Sequence, residues 1–218
     1  GDIGGLVGRG TDEACALFCF WDTETTGSAV SADGTGKTTA EMKSAGTFQN
    51  WGACSSEAIW TIDNGNDYPR LLWEVLPGPK IVVTRLADRL AGSGSEDDPY
   101  LVPTPDDLNA IGLYPCKWDK HFKLVANLDL SAFAGAKFNR IGVYRIPFSG
   151  VFDGNGKTIS NFTYGPAGHA YAGLFGCVGS LNAWVHDLGL TGANVDGGSS
   201  DYVGALAGCL REGTIGHC

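Results

Sequence analysis

Tyr171-Ala172-Gly173-Leu174-Phe175-Gly176-Cys177 and Tyr202-Val203-Gly204-Ala205-Leu206-Ala207-Gly208-Cys209 carry one pattern twice. Each begins with an aromatic residue and sets a small residue before Leu, then an apolar residue, Gly and Cys. A looser copy, Asp2-Ile3-Gly4-Gly5-Leu6-Val7-Gly8, lies at the other end of the chain. The pattern recurs after roughly thirty residues, and periods of about 20 to 50 mark arrays whose repeats bury their apolar faces only against one another. The reading is an all-β solenoid with coils about 4.8 Å apart, the spacing of paired strands. Leu6, Leu174 and Leu206 are then expected to point inward at equivalent positions, with the small residue beside each admitting the neighbouring backbone. Polar turn-rich runs such as Asp196-Gly197-Gly198-Ser199-Ser200-Asp201 supply corners. Antiparallel Gly-rich hairpins in a β-sandwich are the competing reading.

Other stretches fit the same scheme. Phe122 to Leu130 and Trp184 to Leu190 alternate as half-buried strands, and Lys157 to Tyr164 alternates after a turn at Asp153-Gly154-Asn155-Gly156. A short helix is expected over Thr104 to Ile111, with Thr104 as N-cap, Pro105 at the first position and acids in the first turn. A second is expected from Thr39. Residues 1–77, ending in an aromatic-rich stretch, read as the C-terminal portion of one solenoid unit. Residues 78–93 read as a linker after Pro77-Gly78-Pro79, and 94–218 as the N-terminal portion of a following unit.

Charged residues make up 18% and Gly counts 33, too apolar for a disordered chain and too Gly-rich for a helical domain. The net charge of −9 repels phosphate backbones and argues against nucleic-acid binding. No run approaches the roughly 18 to 20 apolar residues of a membrane span. The opening Gly1-Asp2-Ile3 reads as a cut through something longer. Seven cysteines with no CxxC pair suit an extracellular, disulfide-permissive compartment better than a zinc or thioredoxin site. Cys177 and Cys209 share a repeat position and form the firmest candidate disulfide. Cys19 with Cys54, and Cys15 with Cys218 across the seam between units, are the others, leaving Cys116 as the odd thiol. Asn161-Phe162-Thr163 is a glycosylation sequon.

These residues resemble the GLUG-motif proteins, long bacterial surface and secreted proteins, over nearly the whole chain. Gly4-Gly5-Leu6-Val7-Gly8 matches the core of the motif; Gly173 to Gly176 and Ala205 to Gly208 are looser copies. Gly213-Thr214-Ile215 with Cys218 looks like the stretch that follows the core. Trp21 to Gly27, Lys37 to Met42 and Tyr68 to Leu71 look like a closing region; Asp98 to Val102 with Asp107-Leu108 looks like an opening region, and Phe152 to Ile159 like a first full coil. The resemblance implies a right-handed parallel β-helix in an exported, adhesin-like array, without catalytic residues. The closing region precedes the opening one, so the chain reads as a window on a tandem array or one period of a polymer, stacking head to tail on adjoining repeats or copies of itself.

Candidate chemistry is sparse. His121, His169, His186 and His217 lie in no metal-type spacing, and no cofactor or metal is expected. Asp97-Asp98 and Asp106-Asp107 are paired carboxylates of the kind a glycosidase or a Ca²⁺-assisted lyase uses, but both sit where acids serve structure. Gly34 to Thr39 lacks phosphate-loop spacing, and Asp153 to Gly156 lacks the acids of a Ca²⁺ loop. Trp21, Trp51, Trp60 and Trp73 are read as capping the end of a solenoid, or as a carbohydrate-binding row. The expected function is a structural or adhesive module outside the cell, not an enzyme, with surface carbohydrate or host-matrix protein as further partners. The alternatives are a carbohydrate-active β-helix enzyme (polysaccharide lyase or glycoside hydrolase) and a carbohydrate-binding module. Acidic and basic side chains converging on one outer sheet face would favour the enzyme.

Overall fold

In His121–Leu124 the burial pattern puts Phe122 and Leu124 inside and leaves Lys123 on the outer face, as a period of two requires. This is a computed structural model, and it describes residues 3–9, 16, 18–48, 51, 54, 59–72, 74, 85–135, 137–165, 171–198 and 201–218. The chain divides into two compact units, Gly1–Arg85 and Leu86–Cys218.

In the first unit, β1 (Phe20–Asp22) pairs in parallel with β2 (Thr35–Lys37). The helical turn α1 (Thr39–Met42) follows, as expected. Thr38 caps it by accepting from the Glu41 amide, and the Glu41 side chain accepts from the Thr38 amide in return, which satisfies two donors that a helix start leaves open. β3 (Trp60–Thr61) and β4 (Arg70–Leu71) form an antiparallel pair. Phe48 and Ile62 are buried at the centre, packed by Phe20, Met42, Ala45, Trp51 and Trp60.

The second unit opens with α2 (Leu86–Arg89), which buries Leu86 and, one turn on, Leu90. The far end of the stretch read as a linker is therefore anchored by two apolar side chains. β5 (Tyr100–Val102) leads into α3 (Pro105–Ile111), whose N-cap Thr104 accepts from the Asp107 amide and whose Leu108 and Ile111 are buried. Then come β6 (His121–Leu124), β7 (Leu128–Asp129), β8 (Val151–Ser160), β9 (Thr163–Tyr164), β10 (Phe175–Thr191), β11 (Asn194–Val195) and β12 (Ala207–Gly216). The main sheet runs β12-β10-β8-β6-β5, with β7 also on β8, and every pairing in it is parallel. The crossover from β8 to β10 carries β9, that from β10 to β12 carries β11, and these two also pair in parallel. Parallel neighbours need a long crossover, usually a helix; among the described residues of these two crossovers there is strand, turn and bend but no helix.

The fold is thus mostly β, and antiparallel hairpins at the two quoted repeats are excluded. Phe175 pairs with Ala207 and Cys177 with Cys209 in one parallel ladder, and the Phe175 amide donates to the Leu206 carbonyl at 2.8 Å. The close approach assigned to the small residue is real at Gly173, where an added Cβ would lie 2.7 Å from the Gly204 carbonyl oxygen. Leu174 is fully buried, whereas Leu206 is half-buried just before β12, the edge strand of the sheet. Leu6 departs from the expectation and is 42% exposed. It lies against Gly34 beside Trp21, outside the main sheet.

Inside, the register stacks like on like. Tyr100, Phe122, Phe152, Val185 and Ile215 are successive partners, and the first four are at most 3% exposed. Phe175 meets Phe152 edge-on at 5.4 Å, and the pairs Phe148–Phe175 and Phe122–Phe148 extend the aromatic stack. Two expected boundaries moved. Phe122 to Leu130 splits into β6 and β7, because Asn155 donates to the Leu124 carbonyl and Asn127 accepts from the Thr158 amide, which draws the chain round a corner. The turn at Asp153-Gly154-Asn155-Gly156 is a bend inside a continuous β8, with Asn155 and Gly156 both left-handed. A left-handed residue recurs at Asp187 inside β10, and Tyr171 and Tyr202, ahead of β10 and β12, are both left-handed and stack at 4.7 Å.

Candidate functional site

On the outer face of the main sheet the same register that stacks the phenylalanines stacks polar groups. Lys123 is the partner of Asp153, and Asp153 of His186. Each follows an inward residue (Phe122, Phe152, Val185), so alternation turns all three outward. Lys123 Nζ lies 2.8 Å from Asp153 Oδ2. His186 Nδ1 lies 3.9 Å from Asp153 Oδ1 and 2.8 Å from Asp187 Oδ2. His217 Nδ1 adds a contact of 3.2 Å to the other oxygen of Asp187. Asp187 reaches this face because it is left-handed (φ 53°) at a break in register between His186 and Leu188. Close packing assists here: a Cβ on Gly154 would lie 2.4 Å from the Asp187 carbonyl oxygen, so only glycine lets β8 approach that bend. Trp184 stacks on His186 with centroids 3.8 Å apart. Asp153 Oδ1 also accepts from the Asn155 amide at 2.7 Å.

One donor atom from each of Asp153, His186 and Asp187 lies within 4.8 Å of the others, the one such group among the described residues. Sequence spacing gave no hint of it. Only the parallel register joins Asp153 to His186, and only a left-handed Asp187 completes the trio. The hydrogen bond from His186 is the largest influence on the Asp187 carboxyl and, with the His186 and His217 charges, holds it below its ordinary value against a smaller opposing effect of burial. Asp129, bonded by Asn161, and Asp67, bonded by Arg70, are held down likewise. A general acid needs the opposite, a carboxyl raised towards neutrality.

The expected sites fare unevenly. The strand carrying Cys177 pairs in register with that of Cys209 as foreseen, but both residues are thiols. Burial, helped by the hydrogen bond to Cys209, pushes the Cys177 thiol up to about 12. The Cys19–Cys54 staple does not form, since Cys19 is a thiol while Cys54 is in a disulfide. Cys116 is disulfide-bonded and not the odd thiol. Cys218 is an exposed thiol, and Cys15 lies outside the described residues. Asn161 is built into a left-handed bend, its side-chain amide donating to Asp129 at 3.0 Å. Trp21 is buried, and Trp51 and Trp60 pack on each other at 4.5 Å against the Phe48–Ile62 core. Trp51 and Trp60 pack on that core and Trp21 is itself buried, so the three do not form an exposed row for sugar; Trp73 lies outside the described residues. Asp107 is tied to Arg89 at 2.8 Å and accepts from the hydroxyl of Thr104, the N-cap of α3, so it serves structure in the first turn.

Two curated relatives match part of the chain. Halomucin of Haloquadratum walsbyi is 35% identical over 120 residues, covering 54% of this chain and 1% of halomucin. A putative Gly-rich membrane protein of Evansella cellulosilytica is 36% identical over 121 residues, covering 54% of this chain and 14% of that protein. The chain thus spans a small fraction of either relative. No family model matches it, and no solved structure does. Among the described residues no helix is long and apolar enough to cross a membrane.

Proposed function

We propose that the chain is a structural or adhesive module of an extracellular surface array or fibre, its parallel ladder forming coils of a right-handed β-solenoid of the GLUG-motif kind. The observation that carries this is the constancy of the ladder. Side chains reach between neighbouring strands over separations of 30 residues (Lys123 to Asp153), 31 (Asn155 to Leu124), 32 (Asn161 to Asp129) and 33 (Cys218 to Val185). A step of 30 to 33 residues from β6 onward is what coils resting on one another would give, a geometry that extends along one axis and presents a long face. The resemblance to short stretches of halomucin and of a much longer Gly-rich protein is what a repeat module gives when it recurs in long surface chains. Further coils, from the same polypeptide or from another copy, add at the edge formed by β12 and the residues just before it, where Leu206 is half-buried and Tyr202, Val203 and Leu210 are exposed.

The second reading, a polysaccharide lyase or glycoside hydrolase, draws support from the mixed charges on the outer sheet face. Against it, Lys123 is tied to Asp153, and Asp187 is held below the range of a working acid. The readings part on turnover. Incubation with a panel of polyuronates and neutral glycans, followed by the absorbance of unsaturated uronate and by new reducing ends, is expected to stay at the blank. Turnover that disappears in His186→Ala would overturn the structural reading in favour of the enzyme.

A further inference from the structure

The outer-face trio has the makings of a cation site. We infer that Asp153, His186 and Asp187 bind one divalent cation of the zinc class, clipping β8 to β10 from outside the sheet. The donor set is one imidazole nitrogen and two carboxylate oxygens, which suits borderline cations such as Zn²⁺ and Co²⁺ better than the all-oxygen cages of Ca²⁺. Three donors at about 2.0 to 2.2 Å from a shared metal lie roughly 3.3 Å apart. His186 Nδ1 lies 2.8 Å from Asp187 Oδ2 and 3.9 Å from Asp153 Oδ1, and all three donor atoms lie within 4.8 Å of one another. Small side-chain movements therefore bring the three donors to a common centre, and solvent supplies a fourth ligand.

The supporting shell is in place before the metal arrives. His217 holds the Asp187 oxygen that faces away from His186, and the Asn155 amide fixes the Asp153 carboxylate. Trp184 lies flat on the imidazole and sets its plane. Partners that orient ligands in this way tune metal sites. Lys123 acts against the cation, since its ammonium neutralises the far oxygen of Asp153. That makes the site weaker than its donors alone and gives it a distinctive signature. The trio sits on two strands whose inner residues already pair in register, so the metal fastens an existing junction. The inference rests on these side chains and does not depend on the functional reading above.

The test is Zn²⁺ titration of the purified chain by calorimetry, after its exposed thiols have been alkylated, with Co²⁺ as the spectroscopic probe. One equivalent is expected to bind, and the Co²⁺ complex should lack the intense near-ultraviolet bands of thiolate ligation. His186→Ala and Asp187→Asn should each weaken binding by about tenfold or more, while His121→Ala leaves it unchanged. Lys123→Met should tighten binding severalfold, an effect that damage to the fold would not produce. The site is refuted if no equivalent binds, if His186→Ala binds like the parent protein with its far-ultraviolet circular dichroism intact, or if the Co²⁺ complex shows thiolate bands.

Discussion

Replacing Phe152 by Ala tests whether the register has the right side inside. Phe152 is fully buried, between Phe122 and Val185 in the ladder and edge-on to Phe175 at 5.4 Å. Cutting a buried Phe to Ala costs about 3–5 kcal/mol through lost transfer energy and the cavity left behind, and the edge-to-face pair contributes about 0.5–1.5 kcal/mol of its own. A loss near 4 kcal/mol corresponds to a fall in Tm of about 12 °C, at about 3 °C per kcal/mol for a unit of this size. The next residue supplies the control. Asp153 faces outward, and its pair with Lys123 is partly exposed on both sides, so Asp153→Ala should change stability by no more than about 1 kcal/mol. Urea unfolding followed by circular dichroism measures both. Phe152→Ala costing under about 1 kcal/mol, or Asp153→Ala costing as much as Phe152→Ala, would refute the assignment of faces.

Three further outcomes follow from the same structure. With its thiol pushed up to about 12 by burial and by Cys209, Cys177 should resist alkylation at pH 8 while exposed Cys218 reacts, and peptide mapping after a timed pulse of iodoacetamide decides it. Thr104→Ala removes the N-cap of α3 and should cost about 1 kcal/mol in urea unfolding, with Thr104→Ser close to neutral. Burial pushes the Asp22 carboxyl up, but hydrogen bonds from Tyr68, the Thr25 amide, Thr39 and the Glu24 amide together outweigh it and hold the group at about 2. A carboxyl depressed in the folded state stabilises above its unfolded value of 3.8 and loses that contribution as pH falls to about 2. The first unit should therefore lose stability across that window by tryptophan fluorescence, and Asp22→Asn should flatten the dependence.

What could be read from the sequence was what depends on short-range pattern. The Leu174 and Leu206 repeats became neighbouring parallel strands because the same run of small and apolar residues recurs at the step of the ladder. Thr104 announced its helix because capping is decided within one turn. What could not be read depends on distant partners. Asp153 and His186 meet only because the strands align them, and Asp187 only because a non-glycine residue turns left-handed there. Cys54 and Cys116 carry no repeat-position signal, so Cys54 is recognised as bridged but with the wrong partner, Cys19, and Cys116 is left out. The tryptophans of the first third left two readings open for another reason. An aromatic-rich stretch looks the same in sequence whether its rings face solvent or, as with Trp51 and Trp60, each other.

The claim on which the account turns is that these coils add along one axis. Negative-stain electron microscopy of the purified 218-residue chain at rising concentration addresses it directly. Narrow rods that lengthen with concentration, as strand edges such as that of β12 find neighbours, are the expected result. Compact single particles of unchanging size at every concentration, confirmed as monomer by sedimentation, would contradict it.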